Sequence, residues 1–185
     1  EFLSKNKVVH RELSARKILV GAKKNIKVSI FGLSQRYQNE LNYTSNKSCR
    51  LPIKWMSIEA LLDLVFTSYS DVWAYGVVLY EIVTLGGTPY PTLSNNELLE
   101  FLKSGKRMDR PDNCSTTLYN IMLQCWNENP LQRPSFAELR DHLEELLSQG
   151  GFYFSFDINE ENLYYSSASF NHTPSETGNG SLEVE

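Results

Sequence analysis

Apolar positions along residues 70–147 recur with the period of helices, and near the start of the chain they cluster into short runs suited to strands. The greasiest run, residues 72–85, is apolar on nearly every face. Ser70 precedes it as a candidate N-cap with Asp71 in the first turn, and Gly86-Gly87 follows it. The pattern predicts a helix over 72–84 that lies inside the protein with other helices around it. Residues 95–104, closed by Gly105, predict another. Residues 115–127 align Leu118, Ile121, Met122, Cys125 and Trp126 in one stripe, and residues 135–147 align Phe136, Leu139, Leu143, Leu146 and Leu147 in a second. Upstream, Ile18-Leu19-Val20 and Ile26-Lys27-Val28 read as strands joined by a turn over residues 21–25. Residues 1–4 read as a helix end, and residues 32–52 as a long polar loop of the kind that carries function or moves. The expected fold is mainly α, helices wrapped around one buried helix, with a polar loop layer near the N-terminus.

Composition narrows the class. The chain has 185 residues, 41% of them hydrophobic and 22% charged, which supports one packed domain with a tail. A formal net charge of −4 argues against nucleic acid as a partner. Cys49, Cys114 and Cys125 are too few for a disulfide framework and point to a reducing compartment. The opening residues lead into no apolar run, so no signal peptide is expected, and residues 72–85 are too short to span a bilayer and carry Glu81. Residues 148–185 hold no Lys or Arg and six acids, which leaves all 18 bases and 16 of the 22 acids in residues 1–147. The expected boundary therefore falls at 147, with 148–185 an acidic tail. Its last part, residues 171–185, is too polar to offset chain entropy and is expected to be disordered.

Periodicity names no reaction, but five short motifs do. His10-Arg11-Glu12-Leu13-Ser14-Ala15-Arg16-Lys17 resembles the catalytic loop of protein tyrosine kinases, H-R-D-L-A-A-R-N. Ser29-Ile30-Phe31-Gly32-Leu33-Ser34 resembles their S-D-F-G-L-S. Leu51-Pro52-Ile53-Lys54-Trp55-Met56-Ser57-Ile58-Glu59 resembles the end of their activation segment, and Ser70-Asp71-Val72-Trp73 their central helix. Cys125-Trp126 and Gln132-Arg133-Pro134-Ser135-Phe136 resemble their closing motif. Order and spacing agree across residues 1–147, and residues 84–87 and 107–114 are most similar to receptor kinases of the Ret and fibroblast-growth-factor-receptor type. The resemblance implies a protein-kinase-like fold represented by its helical C-terminal lobe alone, with short β-hairpins around the catalytic loop. It implies ATP-dependent phosphoryl transfer to protein tyrosine, with ATP and magnesium as cofactors.

Three positions depart from the family pattern. Glu12 stands where the family has its catalytic Asp, one methylene longer. Lys17 stands for a magnesium-binding Asn, and an ammonium donates hydrogen bonds but cannot ligate a cation. Ile30 stands for the metal-bridging Asp of D-F-G. These changes set the chain against ATP–magnesium binding and favour a pseudokinase that acts by docking or allostery. An active but atypical kinase is the rival, and a module whose tail recruits phosphotyrosine readers is a third class.

Structural positions match the family instead. Glu59 and Arg133 correspond to an ion pair tying the activation segment to the helical lobe, and Asp71 to the acid that accepts catalytic-loop amides. Arg16, with Pro52 and Trp55, matches residues shaping the tyrosine-substrate side of the cleft. His10 is expected to pack and hydrogen-bond beneath the loop. Tyr43 lies where receptor kinases carry an activating phosphotyrosine, with Tyr37 nearby and Arg11 as the family's partner for that phosphate; the alternative is a solvated loop tyrosine. Tyr153, Tyr164 and Tyr165 in the tail are candidate docking sites for phosphotyrosine-reading adaptors. Other kinases or receptor chains are the remaining expected partners. The family implies a membrane-spanning parent protein with this part on the cytoplasmic side of the plasma membrane.

Overall fold

The computed structural model describes residues 1–30, 35–36, 51–148 and 150. Along them run α1 (Phe2–Lys5), β1 (Val8–Val9), β2 (Ile18–Val20), β3 (Ile26–Val28), β4 (Gln35–Arg36), α2 (Ile58–Asp63), α3 (Ser68–Val83), α4 (Asn95–Lys103), α5 (Thr116–Cys125) and α6 (Phe136–Ser148). Short 3-10 turns occupy Ala15–Lys17, Ala22–Lys24, Ile53–Trp55 and Pro130–Gln132. The architecture is mainly α, with small antiparallel strand pairs beside residues 10–17, and is consistent with the helical kinase-lobe fold that the motifs imply.

The all-round apolar run becomes the centre of the molecule. Eleven of the sixteen residues of α3 are buried, and Trp73, Val77 and Val78 are completely enclosed. The helix starts earlier than its sequence suggests. Thr67 is the N-cap and Ser70 sits at the third helical position, so the two form a reciprocal capping box. A hydroxyl three residues into the helix can close the box from inside, which is why Ser70 reads as a cap. Around α3 pack Leu98 and Leu102 of α4, Leu118, Ile121, Met122 and Cys125 of α5, and Leu139 and Leu146 of α6. Fully burying each such side chain is worth about 1.5–3 kcal/mol. Close approach of α3 and α5 depends on Gly76, where an added Cβ would lie 2.6 Å from Trp126 Nε1 and 2.7 Å from Cys125 Cβ.

The stripe on α6 is narrower than expected. Leu139 and Leu146 are buried, but Leu147 is 73% exposed because one residue past Leu146 turns it about 100° off the packed face. The strands fall where the pattern puts them: Ile18 pairs with Val28, Leu19 with Lys27 and Val20 with Ile26. In the connecting turn Lys23 takes a φ of 62° and the Gly21 amide donates to the Asn25 carbonyl at 2.8 Å. Strand β1 pairs with β4, Val8 opposite Arg36. Among the described residues no helix is long and apolar enough to cross a membrane. Tyr37 and Tyr43, and the tail from residue 151 with Tyr153, Tyr164 and Tyr165, lie outside the described residues.

Candidate functional site

Two buried carboxylates of α3 hold residues 10–15 at both ends. Asp71 Oδ2 accepts from the His10 amide at 2.7 Å and Oδ1 from the Arg11 amide at 2.9 Å. Arg11 has a φ of 68°, a left-handed conformation that L-residues avoid, and these bonds help to hold it there. Burial pushes the Asp71 carboxyl above its ordinary range, although the His10 and Arg11 amides pull the other way. At the other end, Glu81 Oε2 accepts from the Ala15 amide at 2.8 Å and from the Trp55 indole at 2.9 Å. Glu81 thus ties residues 10–17 to the 3-10 turn at residues 53–55.

His10 is 3% exposed and bonded on both ring nitrogens. Its Nε2 donates to the Ser29 carbonyl at 2.8 Å, which leaves Nδ1 to accept the Glu12 amide at 3.3 Å. Ser29 is held from a second side, since its amide donates to the Lys17 carbonyl at 2.7 Å.

The side chains that face outward from this scaffold form an ionic trio. Arg16 Nη2 lies 3.2 Å from Glu12 Oε1 and Lys17 Nζ 3.0 Å from Glu12 Oε2. The Glu12 and Lys17 side chains are about four-fifths enclosed, whereas that of Arg16 is 60% exposed. Arg16 also lies 5.8 Å from the Trp55 ring centre. Arg11 points elsewhere: its guanidinium stacks 4.2 Å above the Phe66 ring.

Glu59 and Arg133, 74 residues apart, form a two-pronged pair with N···O distances of 2.7 and 2.8 Å. Arg133 also donates to the carbonyls of Asn127 at 2.8 Å and Tyr69 at 3.1 Å, and its guanidinium lies 5.1 Å from the Trp73 ring centre. Burial opposes ionisation of Glu59, but the hydrogen bonds and charge of Arg133 outweigh it and hold the carboxyl below the ordinary carboxylate range.

The structure therefore brings Glu12, Arg16 and Lys17 together on the loop whose start Asp71 holds, and joins Glu59 to Arg133 beside Tyr69 and Trp73 of α3. Glu81 completes the support, a role that helical periodicity does not reveal. Its signal was an acid inside the most apolar run, because a carboxylate buried there needs donors.

Comparison with known proteins agrees with this arrangement. Residues 1–143 match the family model of protein tyrosine and serine/threonine kinases. The tyrosine-protein kinase receptor torso of Bombyx mori is 48% identical over 147 residues, covering 80% of this chain and 18% of that protein. Its namesake from Drosophila melanogaster is 48% identical over 144 residues, 77% of this chain and 16% of that protein. A fibroblast growth factor receptor of Hydra vulgaris is 44% identical over 146 residues, 79% of this chain and 18% of that protein. The chain spans less than a fifth of the length of these relatives. With the family model extending across most of its length, the chain belongs to the protein tyrosine and serine/threonine kinase family and carries a kinase domain related to those of receptor tyrosine kinases.

Proposed function

We propose that residues 1–147 are the helical C-terminal lobe of a receptor-type tyrosine kinase domain whose phosphoryl-transfer site is degenerate, and that the lobe acts by docking to or allosterically biasing a partner kinase. In that reading residues 148–185 are an acidic tail presenting Tyr153, Tyr164 and Tyr165 to phosphotyrosine readers. The observation that carries it is the engagement of the Glu12 carboxylate by both Arg16 and Lys17. Phosphoryl transfer rests on positioning and on neutralising charge with metal ions. A carboxylate that already bridges two cations is a poor acceptor for a substrate hydroxyl.

The donor set does not fit magnesium. Lys17 presents an ammonium, Ile30 a hydrocarbon, and Glu12 is shared between two cations. Among the described residues no group of three or more His, Cys, Asp or Glu side chains is placed to hold a metal. The packing that supports the loop is retained, through Asp71, Glu81 and the Glu59–Arg133 pair, and a scaffold role requires that retention.

The test is a phosphotransfer assay on the full-length protein with magnesium or manganese. No transfer above background is expected, and robust turnover that disappears on Glu12→Ala would overturn the proposal. One observation favours the rival reading of an active, atypical kinase: the loop backbone is held at both ends as catalysis would need. A metal-dependent rise in melting temperature with ATP would support that rival.

A further inference from the structure

Positive charge gathers at the turn of the exposed hairpin. Residues 13–39 hold six Lys or Arg and no Asp or Glu, in a chain whose formal net charge is −4. Arg16 and Lys17 of this run face Glu12. The next three bases, Lys23, Lys24 and Lys27, fall on the β2–β3 hairpin, two in its turn and one on β3. Lys23 and Lys27 are exposed, and neither takes part in an ion pair among the described residues. Beside the turn, Val20 and Ile26 stand opposite each other, 69% and 60% exposed. Ile18, at the other end of β2, packs against Leu13, Ala74 and Val78, so the hairpin is anchored there and projects at its turn. A projecting end that joins apolar side chains to lysines fits a flat, negatively charged surface with an apolar layer beneath it. Lysine suits diffuse charge of that kind, whereas arginine is the side chain whose fork grips a single carboxylate or phosphate. The overall negative charge of the chain does not oppose this, because salt confines the interaction to charges within about 8–10 Å of the surface.

We infer that the β2–β3 turn is a membrane-surface contact, in which Lys23 and Lys27 meet the headgroups of anionic lipids while Val20 and Ile26 enter the headgroup layer. The contact is separate from the trio at residues 12–17 and holds whether or not phosphoryl transfer occurs there.

The test is co-sedimentation of the 185-residue chain with vesicles of phosphatidylcholine, alone or with about 30% phosphatidylserine, against the same chain spun without vesicles. The partition coefficient is expected to be about tenfold or more larger with phosphatidylserine and to fall as salt rises from about 0.1 to about 0.5 M. A lysine at an anionic surface is worth about fivefold, so Lys23→Ala with Lys27→Ala should lower the coefficient by about tenfold or more. Val20→Thr with Ile26→Thr should lower it by about threefold or more and keep its salt dependence. Lys103→Ala with Lys106→Ala removes exposed lysines from a different element and should leave it within about twofold. The four hairpin side chains are exposed, so both hairpin variants should keep the circular dichroism of the parent. The inference is overturned by equal binding to both vesicle types, by no binding to either, by either hairpin variant partitioning like the parent, or by the Lys103 and Lys106 pair mattering as much as the hairpin pair. Polyglutamate that strips the chain from the vesicles at equal concentration of negative charge would identify an acidic protein surface as the partner and would overturn it too.

Discussion

At the scale of single residues, the side chain that does most to join the parts of the site is Glu81. A carboxylate 8% exposed is tolerable only because two donors from different segments converge on it, the Ala15 amide and the Trp55 indole. Glu81→Leu keeps the volume and strands both donors, which should cost about 1–3 kcal/mol for each one left without an acceptor. Glu81→Gln keeps an acceptor and should retain most of the stability. Heteronuclear NMR reads the local consequence: in Glu81→Leu the Ala15 amide should lose protection from exchange and the Trp55 indole proton should shift. Unchanged resonances at both positions would show that the bonds do not form in solution. The trio above follows the same logic with the opposite result. Glu12 also gathers two donors, but both are cations, and what it stabilises is an ionic cluster where the family pattern has a carboxylate and an amide.

At the scale of elements, α2 is the piece most worth testing, because Glu59 near its start is tied to Arg133 just before α6. Removing one partner of such a buried pair typically costs about 3–5 kcal/mol. The folded-state pKa of Glu59 is lowered, so the pair's contribution is complete above the unfolded value of about 4.3 and is lost as pH falls through the folded value. Urea unfolding of the parent chain and of Glu59→Gln should therefore differ by a constant margin from pH 7 down to about 5, and the margin should shrink below about 4. A margin that persists in strong acid would mean the pair is not the source of the difference. Local pattern foretold some elements and not others for identifiable reasons. The β2–β3 hairpin was legible because an apolar triplet, Ile18-Leu19-Val20, and an alternating one, Ile26-Lys27-Val28, flank a turn. The interior position of α3 was legible because an all-round apolar helix has nowhere else to go, but its first residues were not, since Ser70 mimics a cap from within the helix. Helix α2 is six residues long with no stripe, so periodicity has nothing to detect. The Glu59–Arg133 pair joins residues 74 apart and was legible only through resemblance to a family, as were Glu12, Lys17 and Ile30. The role of Glu81 was hidden because its donors are a backbone amide and a residue of a different segment.

At the scale of the whole molecule, packing is lopsided. The α3, α4, α5 and α6 side is closed around Trp73, Met122 and Trp126, whereas the β2–β3 hairpin exposes most of its apolar side chains. On that hairpin Leu19 is 55%, Val20 69%, Ile26 60% and Val28 46% exposed, and Ile30 beside it is 42% exposed. Among the described residues neither strand has a further strand neighbour. Exposed apolar side chains gathered in one place favour association with other chains. The 185-residue chain on its own should therefore self-associate as its concentration rises in sedimentation velocity and should bind a hydrophobic dye. Val20 and Ile26 are cross-strand partners and the two most exposed apolar side chains of the hairpin. Replacing both by Thr keeps the branched shape that strands favour and removes apolar surface, so Val20→Thr with Ile26→Thr should reduce both signals without unfolding the helical side. If the parent chain sediments as a monomer at every concentration reached, or if the double variant associates as strongly as the parent, the hairpin is not the adhesive face. If the double variant still associates, the exposed Leu62 in the last turn of α2, with Leu64 and Val65 just after it, would be the next to replace.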